Sequence, residues 1–114
     1  MNSNTSVRKN SNDLESILED VINSWLCDNR EYIIQIYGGE WLRLTDDKDV
    51  LKETYDEEED VWDSDVLISY VESYGIMHGF LYLICPSGTT DLMLRISLSD
   101  IMVIQDEEGN ETAF

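Results

Sequence analysis

At 114 residues the chain suits one domain, and its 42% apolar content can supply an ordinary core. The charge balance is unusual: 25 Asp and Glu stand against 7 Lys and Arg, a formal net charge of −18. Such a field repels phosphates and anionic lipid, which argues against direct nucleic-acid or membrane binding and favours basic protein partners.

Residues 1–11, mostly Asn, Ser and Thr, read as a disordered lead-in with no apolar core of a signal peptide. Ser11 or Asn12 can cap a helix starting near Asp13. Leu14, Ile17, Leu18, Val21, Ile22, Trp25 and Leu26 fall on one face of that helix, which should end between Cys27 and Asn29. In "EYIIQIYGGEWLRLT" two alternating runs flank Gly38-Gly39, which predicts a hairpin with a two-residue turn. No Gly-Lys-Ser/Thr follows those glycines, so they are turn chemistry and not a phosphate loop.

Residues 65–74 fit either a helix or a strand, and their β-branched and aromatic content favours the strand. Phe80 to Cys85 is an apolar run expected to stop at Pro86-Ser87-Gly88. Leu92, Leu94, Ile96 and Leu98 alternate on a further strand, and Ile101 to Ile104 form a last short one. A strand, a tight turn and a final strand are similar to the ending of SH3-like and Sm-like small barrels. The tail, residues 106–114, is acidic and expected to fray. The fold class expected is α+β: an N-terminal amphipathic helix packed on a mostly antiparallel sheet of about five strands, which could close into a small barrel. Residues 12–105 form the domain.

The distinguishing segment is "DDKDVLKETYDEEEDVWDSD", Asp46 to Asp65, which holds eleven carboxylates and two lysines and so half of the net charge. An EF-hand loop needs Gly at its sixth position and Glu at its twelfth. Counted from Asp56 these are Val61 and Leu67, and from Asp60 they are Asp65 and Val71, so the pattern fails. Transition-metal sites want His or Cys, and the chain has one His and two distant Cys. Cys27 and Cys85 read as buried thiols in a reducing cytoplasm, where the protein is expected to reside. His78 has no acid or nucleophile nearby in sequence, and Ser97 and Ser99 lack the G-x-S-x-G context. No enzyme, metal or cofactor is called for.

Nucleic-acid mimicry fits the charge. Duplex DNA carries one charge per ~1.7 Å and a single strand one per ~3.4 Å. Eleven carboxylates in a helical segment give about one per 2.7 Å, whereas an extended chain gives one per ~6 Å. Val50, Leu51 and Tyr55 suggest a helix over Asp47 to Tyr55, followed by a charged loop anchored at Val61 and Trp62. Against the helix stand four like-charge pairs at four-residue spacing: Asp49–Glu53, Glu53–Glu57, Asp56–Asp60 and Glu59–Asp63. Tyr55 and Trp62 either pin this segment to the core or anchor an interface, and a recognition surface exposes at least one of them.

The expected function is a non-enzymatic acidic inhibitor that occupies the basic groove of a nucleic-acid-binding protein or nuclease, of anti-restriction, anti-CRISPR or nuclease-immunity type. Its partner-binding residues would be Asp46, Asp47, Asp49, Glu53, Tyr55, Asp56, Glu57, Glu58, Glu59, Asp60, Trp62, Asp63 and Asp65. The alternative is a protein-binding module or regulatory subunit that uses an aromatic sheet face with Tyr37, Trp41 or Tyr82.

Overall fold

The computed structural model describes residues 11–114, so the expected disordered lead-in lies almost wholly outside the described residues. One helix, α1 (Ser11–Asp28), is followed by β1 (Tyr32–Ile36), β2 (Glu40–Leu44), β3 (Val50–Asp56) and β4 (Val61–Ile68). Then come β5 (Ser73–Met77), β6 (Phe80–Ser87), β7 (Thr90–Ser97), a single 3₁₀ turn (Leu98–Asp100), β8 (Ile101–Asp106) and β9 (Glu111–Ala113). The strands make two antiparallel sheets, one of six strands ordered β4-β3-β2-β1-β8-β9 and one of three ordered β5-β6-β7. Among the described residues the fold is thus α+β with an N-terminal helix, but with nine strands where about five were expected, and no sheet closes into a barrel.

The core lies between the helix and the inner faces of the sheets. Leu14, Leu18, Val21, Ile22 and Trp25 join Ile34, Leu42, Leu44 and Val50 of the large sheet and Leu81, Leu83 and Ile96 of the small one. The alternation that buries Leu42 and Leu44 sends Trp41 and Arg43 to the opposite face, as a period of two requires. Trp25 is fully buried, and its indole N–H donates to the Thr45 carbonyl at 2.5 Å. That bond satisfies the ring's one polar atom and ties the helix to the β2–β3 connection.

Several boundaries differ from expectation, each for a physical reason. The first hairpin pairs Ile36 with Glu40, so its loop is Tyr37-Gly38-Gly39, three residues rather than two. Both glycines hold positive φ, 103° and 84°, where a side chain would be strained. β6 runs through Pro86, because the β5 partner is used up at Ile84 and the missing N–H leaves no ladder bond unmade on that side. Residues 65–74 contain strand on both sides of a break, with β4 ending at Ile68 and β5 starting at Ser73. The tail does not fray: β9 pairs with β8, and the Phe114 N–H donates to the Met102 carbonyl at 2.9 Å. Cys27 is exposed while Cys85 is buried, so only one of the two thiols is a core residue.

The helix expected over Asp47 to Tyr55 is absent. Asp46 to Lys48 form a turn and Val50 to Asp56 form β3. In a helix the four like-charge pairs would stack along one side. In the hairpin, the register sets Lys52 opposite Asp65, Glu53 opposite Ser64, Thr54 opposite Asp63, Tyr55 opposite Trp62 and Asp56 opposite Val61. No two carboxylates face each other directly, which avoids the cross-strand like-charge penalty. The β-branched and aromatic residues in the segment favour the same outcome.

Candidate functional site: an acidic hairpin beside an aromatic cluster

The acidic segment is therefore the β3–β4 hairpin, and its four-residue turn is Glu57-Glu58-Glu59-Asp60. Asp56 organises that turn. Its Oδ1 accepts the Glu58 N–H at 2.9 Å and the Glu59 N–H at 3.3 Å, the local side-chain-to-backbone pattern that favours Asp at turn entry. Asp60 closes the turn at φ 56°, a left-handed conformation that Asp tolerates better than most residues. The Tyr55 hydroxyl donates to Asp60 Oδ1, and this bond raises the tyrosine's pKa, with partial burial as the lesser cause. The side chains of Glu57, Glu58, Glu59 and Asp60 stand in solvent.

Pairing two strands alters the charge density. Eight carboxylates, Glu53 to Asp65, lie along the hairpin between its Lys52–Asp65 pair and the tip of the turn, seven residue positions or ~23 Å at ~3.3 Å each, one per ~3 Å. That spacing is close to the ~3.4 Å of a single nucleic-acid strand. The carboxylates divide by role. Glu53 is held by Arg43, Nε to Oε2 at 3.3 Å, and also accepts from the Ser64 hydroxyl at 3.3 Å, so it is committed within the fold. Asp63 and Asp65 point to the face opposite Tyr55 and Trp62 and are exposed.

Tyr55 and Trp62, directly paired across the hairpin, are 41% and 51% exposed. Their ring centroids lie 5.4 Å apart, and Trp41 meets Trp62 edge-on at 5.5 Å. The three rings form a row on the outer face of the large sheet, the face turned away from the core, immediately beside the acidic turn. The sequence places Trp41 in the first hairpin and groups it with Tyr37 and Tyr82, not with Tyr55 and Trp62. Counting the strand period from Trp41 through Glu53 and Tyr55 to Trp62 would have found the row, but only once β3 was recognised as a strand. Val66, 62% exposed, continues the same face along β4 and was missed for the same reason.

Not all thirteen expected residues come together. Asp46, Asp47 and Asp49 lie in the β2–β3 connection, at the end of β3 away from the turn. There Asp49 Oδ1 accepts the Tyr70 N–H at 3.4 Å, and Lys48 bonds the Asn29 side chain and the Asp46 carbonyl. Those contacts make this stretch a structural junction. The aromatic residues of the alternative reading are also dispersed: Trp41 lies on the large sheet, Tyr37 in the first turn, and Tyr82 on the small sheet.

Elsewhere, a cleft of about 380 Å³ is lined by residues including Glu31, Arg43, Gln105, Glu107 and Glu108. Arg30 there pairs with Glu107 at 3.6 Å and Glu108 at 3.4 Å. Asp106 opens the β8–β9 turn as Asp56 opens its own, accepting from the Asn110 and Glu108 backbone N–H groups at 2.9 Å each. The Asn110 backbone bond is the main reason its carboxyl lies below the ordinary 3.8, with the Asn110 side chain, Glu108 N–H and Arg30 adding to it. His78 is exposed in the β5–β6 turn at φ 53° beside Gly79 at φ 80°, a two-residue turn with both φ values positive. Among the described residues, no group of three or more His, Cys, Asp or Glu is arranged to hold a metal ion, and no helix is long and apolar enough to cross a membrane. No family model, no curated protein and no solved structure matches the chain.

Proposed function

We propose that the protein is a non-enzymatic acidic inhibitor that sets its β3–β4 hairpin into the basic groove of a nucleic-acid-binding protein or nuclease, in the manner of anti-restriction, anti-CRISPR or nuclease-immunity proteins. The observation that carries this reading is the juxtaposition at the hairpin tip: a carboxylate spacing close to that of a nucleic-acid strand, with Tyr55 and Trp62 exposed beside it. Carboxylates steer approach and set the salt response, while half-exposed aromatic rings supply contact area that releases water on docking. The working surface is Tyr55 to Asp60 with Trp62, Asp63 and Asp65. Asp46, Asp47 and Asp49 add to the long-range field.

The test is the variant Asp56→Asn, Glu57→Gln, Glu58→Gln, Glu59→Gln, Asp60→Asn, which keeps an acceptor oxygen at Asp56 for the turn. Its affinity for a partner captured by the wild-type chain should fall at least ~30-fold, about 2 kcal/mol, with an unchanged circular dichroism spectrum. Unchanged affinity in the folded variant refutes mimicry.

A second reading is favoured by the row Trp41–Trp62–Tyr55 on the outer sheet face, where Tyr55 and Trp62 stay exposed. In it the protein is a binding module whose partner docks on the rings, and its acidity serves solubility. Binding of that kind would change little between low and moderate salt.

A further inference from the structure

The large sheet ends on an open edge. Among the described residues β4 pairs only with β3, and every residue from Val61 to Leu67 is exposed. β4 meets the other sheet at β7, where Leu67 shares a small cleft with Leu94 and Ile96. Half of the backbone N–H and C=O groups of an edge strand point outward and can template another strand. The opposite edge, β9, is three residues long and blunted by its shortness, whereas β4 has eight.

The side chains along this edge state what would fit. Trp62, Ser64 and Val66 lie on the outer face, continuous with Tyr55 and Trp41, while Val61, Asp63 and Asp65 lie on the other. A strand laid beside β4 would place alternate residues next to these two rows. A second copy is a poor occupant: antiparallel self-pairing about Ser64 would set Asp63 and Asp65 of the two copies against each other, between molecules that each carry a net charge of −18.

We infer that the β4 edge accepts, as an added strand, an extended segment of a basic protein in which Lys or Arg alternates with apolar residues. The basic residues lie beside Asp63 and Asp65, the apolar ones beside Trp62 and Val66, and main-chain hydrogen bonds hold the register. This deepens the proposed function and rests on its reading of a basic partner. The exposed edge carries the inference, and the carboxylates supply only the chemistry of the occupant.

The test uses the full chain and three capped peptides matching β4 in length: alternating Lys and Val, the same composition in two blocks, and the alternating sequence N-methylated throughout. Backbone amide shifts should move for Val61 to Val66 with the alternating peptide. The N-methylated control should bind at least ~10-fold more weakly, the loss expected when two or three main-chain hydrogen bonds go. The block control should also bind more weakly, because its basic residues no longer alternate beside Asp63 and Asp65. In the variant Asp63→Lys, Asp65→Lys the preference should switch to alternating Glu and Val. Equal binding of all three peptides overturns strand addition while leaving the basic-partner reading intact. Self-association through β4 overturns it too. No binding of any basic peptide, polylysine included, defeats both.

Discussion

Trp25 and Trp62 show how one residue type serves two ends in this chain. Trp25 is fully buried with its N–H bonded to Thr45, so Trp25→Ala should destabilise by about 3–5 kcal/mol, read from a urea midpoint. Trp62 is half exposed and packs against the Tyr55 and Trp41 rings. Trp62→Ala should therefore shift the midpoint little yet weaken partner binding by about 2 kcal/mol if the row is an anchor. A large stability loss with unchanged affinity would assign Trp62 to packing. Asp106 offers a separate check through pH. Its carboxyl titrates below 3.8 in the folded chain, so its contribution to stability is fully present above 3.8 and is lost as pH falls through the lower folded value. The Asp106 carboxyl carbon shift should titrate with a midpoint under 3.8, and Asp106→Asn should remove that part of the acid sensitivity. A midpoint at or above 3.8 contradicts the turn geometry.

At the scale of elements, the helix was legible because its apolar spacing has only one interpretation. Leu14, Leu18, Ile22 and Trp25 share a face in a helix and in no strand. The first hairpin and the later strands were legible by alternation and glycine. The β3–β4 hairpin was not. Its inner face beyond Val50 is not apolar, since Lys52, Thr54 and Asp56 lie over solvent or charge, so the period of two carries no hydrophobic signal there. The evidence for strand was electrostatic: like charges spaced by four clash in a helix and separate in a hairpin. Repulsion is not the whole cause, because Tyr55–Trp62 pairing and the Asp56 turn also favour the hairpin, so Glu53→Lys and Glu57→Lys together, which would relieve the helix, should not convert β3. The double variant should keep its β-rich circular dichroism spectrum, whereas a gain in helical signal would show that repulsion alone selects the strand. The acidic tail was misread for a similar reason, as composition suggests fraying while Phe114 packs against the core.

For the whole molecule the net charge of −18 is the dominant physical fact, and two features direct it. The hairpin projects a line of carboxylates, and the outer face of its sheet sets the Tyr55 and Trp62 rings beside the turn. Fold and surface together describe a domain whose core is ordinary and whose distinctive chemistry lies at one edge of one sheet. The excess of negative charge was legible in composition, but where that charge sits depended on strand pairing that no local pattern announces. The measurement that bears most directly on this account is capture of proteins from a nuclease-treated lysate on the immobilised chain, followed by elution with duplex DNA across a salt series. The account predicts that the retained proteins bind nucleic acid, that DNA displaces them, and that raising salt from low to moderate levels releases them. Partners that resist both DNA and salt, and have no affinity for nucleic acid, would contradict it.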